Sequence, residues 1–308
     1  MRERLMVDEP TFESYYGRPI LKEPTWKTPD VPLYLFLGGL GGSSALLAEG
    51  AVLAHLPALE RATRLAAATA SAAGTVALIH DLGRPERFLN MLRVFKPTSP
   101  LSVGSFILAP FATFAGASAA SHVTGILPRL GRLSGLGAAA FGPPLVTYTA
   151  ALVANTAIPA WHEAHRELPF VFAGSGATAA GGLAMLLVPT AQTGPARRMA
   201  VAGAGLEIAA AELLVHRLGM VAEPYQQGMP GKLMKTARTM TAAAAGATLL
   251  AGRRSRVVSG LAGATFVTAS LLTRFGIFEA GRASARDPKY VVVPQRERMR
   301  QREAAKAH

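Results

Sequence analysis

LAAATASAAGTVALI, residues 65–79, carries no charge and runs straight into HDLGRPER, residues 80–87. The second stretch holds five ionisable side chains, a glycine and a proline. A greasy run that stops at a charged cluster reads as a helix reaching the edge of a bilayer. Ionisable groups at that edge are costly to desolvate, so they mark a candidate functional site.

Working outward from this point, seven more runs are long enough to span a bilayer, which takes about 20 residues each. The eight fall at 33–54, 63–82, 101–124, 134–158, 168–190, 197–218, 234–252 and 256–276. Glu207, Glu212 and Arg238 interrupt the sixth and seventh. Short loops with Pro or Gly at most boundaries predict antiparallel neighbours. The fold class is therefore an all-α integral membrane protein, an up-and-down bundle of about eight transmembrane helices with both termini on one face. Four parts are expected. An extended polar tail (1–31) docks on a partner, a first four-helix bundle (32–165) carries the site, a second follows (166–276), and a charged tail ends the chain (277–308). Asp287–Pro294 has the composition of a short strand, and Gln295–His308 is highly charged.

Composition agrees. Half of the 308 residues are apolar and 17% are charged, below the roughly 25% of soluble domains. The net charge is +13, but the Lys and Arg lie in loops and tails, where loop topology and lipid headgroups account for them. No nucleic-acid motif accompanies them, so no nucleic-acid partner is expected and membrane lipids are. The tail side is the richer in Lys and Arg, 20 against 9, wholly through the tails themselves, since the loops alone count 7 against 9; the positive-inside rule then points the tails to the cytoplasm. There is no cysteine, so no Cys-ligated iron–sulfur cluster can sit in this chain. No metal site is expected.

Helix polarity brings several polar groups to the tail-side membrane edge. Tyr34 begins the first span. His80, Asp81 and Arg84 end the second, Ser102 begins the third, and Asn155 and His162 end the fourth, with Tyr148 about two turns deeper. A redox-active lipid headgroup needs such a set: hydrogen-bond donors for its carbonyls and a group that relays protons. His80 and Asp81 are the catalytic candidates. Tyr34, Arg84, Ser102, Tyr148, Asn155 and His162 are the binding candidates. Glu49, Glu207, Glu212, His216 and Arg238, inside spans, form a candidate proton path.

Several have a structural alternative, and His162, like His165, can be a solvated loop histidine. Asp81 and Arg84 can cap a helix and pair at the interface. Ser99 can be an N-cap with Pro100 as the first helical residue. Tyr34, Trp26 and Trp161 can be belt aromatics. The Gly38–Gly42 run suits a close helix contact. Glu207 or Glu212 can pair with Arg238 or Arg274.

Three phrases in order carry a resemblance: PLYLFLGG (32–39), DLGRPERF (81–88) and TSPLSVGS (98–105), followed by Tyr148–Leu152 and Pro159–Trp161. They resemble the NrfD/PsrC family of polysulfide reductase membrane subunits, and the chain is similar to the membrane subunit of actinobacterial formate-dehydrogenase-like complexes. The resemblance implies an eight-helix subunit that reacts with quinone or quinol, menaquinone or ubiquinone, and holds no haem. It implies an iron–sulfur, ferredoxin-like subunit and a molybdenum or tungsten catalytic subunit as partners. The quinone site would use Tyr34, His80, Asp81, Arg84, Ser102, Asn155 and His162. The alternatives are a proton or solute transporter and a passive anchor; a haem version would pair His80 with His162.

Overall fold

The computed structural model describes residues 20–84 and 86–306. Among them the chain is helical, with no strand. Twelve α-helices follow in order: α1 Asp30–Leu53, α2 Pro57–Asp81, α3 Arg87–Met91, α4 Pro100–Thr124, α5 Pro128–Ala154, α6 Pro159–Glu163, α7 Leu168–Leu187, α8 Gly194–Leu218, α9 Glu223–Gln226, α10 Gly228–Ala251, α11 Arg256–Arg286 and α12 Lys289–Lys306. Seven stretches are long and apolar enough to cross a membrane: α1, α2, α4, α5, α7, α11 and Gly194–Gln226, which contains α8. The eighth long helix, α10, falls short of that apolarity, because its first half carries Lys232, Lys235 and Arg238.

Each expected span falls on one long helix with shifted ends: 134–158 and 168–190 overrun α5 and α7, which stop at Ala154 and Leu187, while α2 and α11 extend beyond theirs. The second expected run begins at 63, but α2 starts at Pro57; the last was expected to stop at 276, but α11 continues to Arg286. The reason is the same at both ends. A hydropathy reading stops where polar side chains begin, while backbone hydrogen bonding continues into the polar interface. The strand expected at Asp287–Pro294 is corrected: the chain re-enters helix at Lys289 and stays helical to Lys306, past Pro294. The helix is pinned by Lys289, whose Nζ lies 2.7 Å from Glu223 Oε2, and by Tyr290, whose hydroxyl donates to the same oxygen at 3.2 Å.

Ser99 caps α4 by accepting from the Ser102 amide, with Pro100 at the first turn, as the local sequence requires. Small residues let the helices approach. A Cβ on Gly42 would fall 2.6 Å from the Gly142 carbonyl oxygen, and one on Gly176 would fall 2.9 Å from that of Gly39. The glycine run of α1 is thus a contact stripe, with α5 on one side and α7 on the other. Helix α1 is the central element: it packs on α2, α5, α7 and α11 and is buried along most of its length.

Both ends of the described chain lie on one face. Residues 20–29 cross it, with Glu23 Oε1 2.9 Å from Arg286 Nε, and Thr28 donating to Glu279 Oε1 at 3.1 Å. The N-terminal tail expected to dock on a partner therefore rests, over this stretch, on its own chain. Residues 1–19 of that tail, and residues 307 and 308, lie outside the described residues.

Candidate functional site

The first four-helix group builds the site one turn below the tail face. Tyr34 projects from the start of α1 and Tyr148 from the last third of α5. Their hydroxyls are 2.6 Å apart, in a region where the rings are 1% and 7% exposed. Gly104 of α4 makes the room: a Cβ there would fall 2.0 Å from Tyr148 Cε2. The glycine of the TSPLSVGS phrase is thus the seat of the Tyr148 ring. Gly74 of α2 flanks Tyr34 in the same way, with ordinary van der Waals spacing. Four helices converge on the pair.

His80 and Asp81 lie at the mouth rather than in the interior. The His80 side chain is 74% exposed, and its Nδ1 meets Asp30 Oδ2 at 2.7 Å. Asp81 Oδ1 accepts from the Lys27 amide at 2.8 Å, and Lys27 Nζ reaches the His80 carbonyl at 3.3 Å. Asp30 and Lys27 were missed in the sequence. The signal for Asp30 was present: an acid opening the first span, one turn, about 6 Å, before Tyr34. Arg84 is exposed beside this mouth.

The other binding candidates serve the frame. Ser102 Oγ accepts from the Lys96 amide at 2.9 Å and donates to the Val94 carbonyl at 3.2 Å, fastening the loop before α4. Asn155 is the exposed C-cap of α5. His162 meets the Ala154 carbonyl at 3.2 Å and faces a groove against α12, with Tyr290 and Arg298. Among the described residues no hydrogen bond joins these three to the tyrosines. Nor is Trp161 a belt aromatic. It is fully buried, donates to the Ile277 carbonyl at 2.8 Å, stacks on Trp26 at 5.7 Å between ring centroids, and fills the space left by Gly281.

The five residues of the candidate proton path divide into three groups. Glu49 belongs to a cluster at the far face: Arg64 Nη2 lies 3.0 Å from Glu49, its Nε lies 2.9 Å from Glu60, and Nη1 bonds Ser118. His122 Nδ1 is 3.7 Å from Glu60. A side chain at Gly135 would collide with Arg64 and Glu49. Glu207 is buried among hydroxyls, accepting from Thr273 at 2.7 Å and Thr178 at 3.5 Å. Arg274, entirely buried, donates to the Phe172 carbonyl at 2.8 Å and sits 3.7 Å above the Phe172 ring. Glu212 and Arg238 form an ion pair, both about half exposed, and His216 is exposed one turn along α8. Glu207 and Glu212 are five residues apart, which places them on different sides of α8.

Outside the spans, the Glu23 carboxyl is held below its ordinary range by the hydrogen bonds from Arg286, against a smaller desolvation effect. The Lys289 ammonium is pushed up by its bond to Glu223.

A bundle of apolar helices with a buried phenol pair beneath a charged mouth defines a multi-pass membrane protein with a polar site near one membrane edge. The profile of the family described as polysulphide reductase, NrfD, matches residues 22–215. This is more than half of the chain, which therefore belongs to the NrfD family of membrane subunits of oxidoreductase complexes. No curated protein matches it.

Proposed function

We propose that the chain is the quinone- or quinol-reactive subunit of such a complex, exchanging electrons with an iron–sulfur subunit that serves a molybdenum or tungsten catalytic subunit. The observation that carries this reading is the Tyr34–Tyr148 pair. Each phenol has one proton. Whichever hydroxyl donates within the pair, the other retains a proton with no acceptor in the pair, in an environment too dry to leave it so. A carbonyl oxygen of a quinone is a fitting acceptor. A bound quinone supplies two-electron, two-proton chemistry. The chain's part is to orient the headgroup and to pass protons.

Asp30 with His80, one turn above Tyr34, links the pair to the aqueous face and is the proton connection on this reading. Asp81 holds the Lys27 backbone and so sets the position of the segment over the mouth. The tail face, with Arg84 and Lys96 exposed on it, is the surface that the iron–sulfur subunit covers, and the basic residues of the two tails support a cytoplasmic side for it. Beyond the tyrosines, Glu207, and Glu49 with its neighbour Glu60, are the buried or half-buried acids of the spans that suit proton translocation; the half-exposed Glu212–Arg238 pair and the exposed His216 suit it less.

The test uses the assembled complex. Tyr34→Phe and Tyr148→Phe keep both rings and remove the hydroxyls. Each should lower quinone-linked turnover on the order of 100-fold, as loss of a preorganised donor does, and leave dye-linked activity of the catalytic partner unchanged. Full quinone-linked activity in both variants refutes the assignment.

A further inference from the structure

A cleft of about 520 Å³ opens between α8 and α10, in the half of the molecule that the tyrosine site does not use. Ala211, Leu214 and Val215 of α8 and Met234 of α10 give it apolar walls. Its polar groups are cationic in sum. Arg238 is neutralised by Glu212, but Lys235 lines the cleft with no ionic partner among the described residues, and Lys232 is exposed one turn nearer the helix start. Tyr225 and Thr239, also on the wall, have spent their hydrogens: Tyr225 donates to the Ala160 carbonyl at 2.8 Å and Thr239 to that of Thr236 at 2.9 Å. Lys235 is left as a donor in search of an acceptor.

Depth decides the kind of acceptor. Lys235 lies roughly 10 Å, and Lys232 roughly 6 Å, from the tail-side start of α10. That is the level of lipid headgroups, and the apolar wall lies beside it: Val215 is roughly 5 Å and Ala211 roughly 10 Å from the tail-side end of α8, and Met234 roughly 9 Å from the start of α10. An ammonium at this depth, open to the lipid side, is costly unless an anion meets it.

We infer that the cleft is a site for one anionic phospholipid of the tail-side leaflet. Its phosphate sits on Lys235, with Lys232 adding positive charge, and the first methylenes of an acyl chain lie along Ala211, Val215 and Met234. The lipid then covers the gap that α8 and α10 leave between them and screens the Glu212–Arg238 pair. A zwitterionic lipid would bring its own cation beside the lysines and is disfavoured. The site shares no residue with the tyrosine pair, so the two assignments stand or fall separately.

The experiment is native mass spectrometry of the full chain in detergent, titrated with phosphatidylglycerol or phosphatidylcholine. Wild type should bind one phosphatidylglycerol at least about tenfold more tightly than phosphatidylcholine. Lys232→Gln with Lys235→Gln should weaken phosphatidylglycerol by roughly fivefold per lysine and leave phosphatidylcholine unchanged. Val215→Phe, which fills the cleft and keeps the lysines, should weaken both lipids. Equal binding of the two lipids by wild type overturns the inference. So does phosphatidylglycerol binding at wild-type strength in the double-Gln variant, provided its helix content by circular dichroism matches wild type. If that variant fails to fold, Val215→Phe decides: undiminished lipid binding there overturns the inference, and its loss supports it.

Discussion

Gly104→Ala probes the site without touching a polar atom. The added methyl would lie 2.0 Å from Tyr148 Cε2, 2.1 Å from Cζ and 2.4 Å from the hydroxyl oxygen. An aromatic ring cannot fold away like the end of a lysine. To regain the 3.4 Å of ordinary contact the ring must retreat by about 1.4 Å, or α4 must back away from α5 by as much. A hydroxyl carried with the ring would stretch the 2.6 Å bond to Tyr34 to as much as about 4 Å, no longer a hydrogen bond. Tyr34 cannot readily follow, being 1% exposed and seated on α2. Overpacking costs about 1–3 kcal/mol, and the lost bond about 1 kcal/mol more.

The assay is quinone-linked against dye-linked turnover of the same purified complex, with thermal melting alongside. Quinone-linked turnover should fall by at least about tenfold, equivalent to some 1.4 kcal/mol in the barrier, while dye-linked turnover holds. Gly116→Ala is the matched control. It lies on the same helix with nothing within 4 Å of the new methyl, and it should raise helix stability slightly and change neither activity. If Gly104→Ala keeps quinone-linked turnover within about twofold of wild type, the tyrosine pair is not the headgroup donor, and the reasoning fails.

Ser102→Ala should cost about 1 kcal/mol of stability through the loop before α4 and leave quinone-linked turnover within about twofold; a loss as large as that expected for Tyr148→Phe would return Ser102 to the site. Arg64→Ala strands Glu49 and Glu60 beside Ser118 and should lower stability by about 3 kcal/mol, whereas adding Glu49→Gln should recover part of it; thermal melts in detergent compare the two, and an unchanged melt for the single variant contradicts the cluster. The Glu23 carboxyl is depressed when folded, so its contribution is present above the ordinary glutamate range and is lost as pH falls through its lower folded value. Residues 20–29 should therefore loosen below about pH 4, to a modest extent because the pair is exposed. Cleavage at Lys22 and Lys27 after brief acid pulses reports it, and Glu23→Gln should show the looser pattern already at neutral pH.

The bundle was legible because a bilayer imposes length and apolarity on each span, and those are properties of a segment. What was not legible depends on pairs. Tyr34 and Tyr148 stand 114 residues apart, and helix polarity could rank their depths without showing that their hydroxyls meet. Gly104 was one small residue of a motif at the start of a span until the ring it seats was in view. Ser102, read as a ligand from its level in the membrane, is spent on the backbone of the loop before it. Conversely, Arg64 opened the second expected span with no partner in view, and the extension of α2 back to Pro57 adds Glu60 one turn before it while packing brings Glu49 to its other side. Depth along a helix follows from counting residues, but azimuth follows from packing. Groups matched in depth are brought together only where small residues let their helices close. That is why the glycines opposite Tyr148 and Arg64 carry as much of the site and its supports as the polar residues do. It is also why Glu212 and Arg238 pair with each other in an open cleft and not with Glu207, which their depth alone would have allowed.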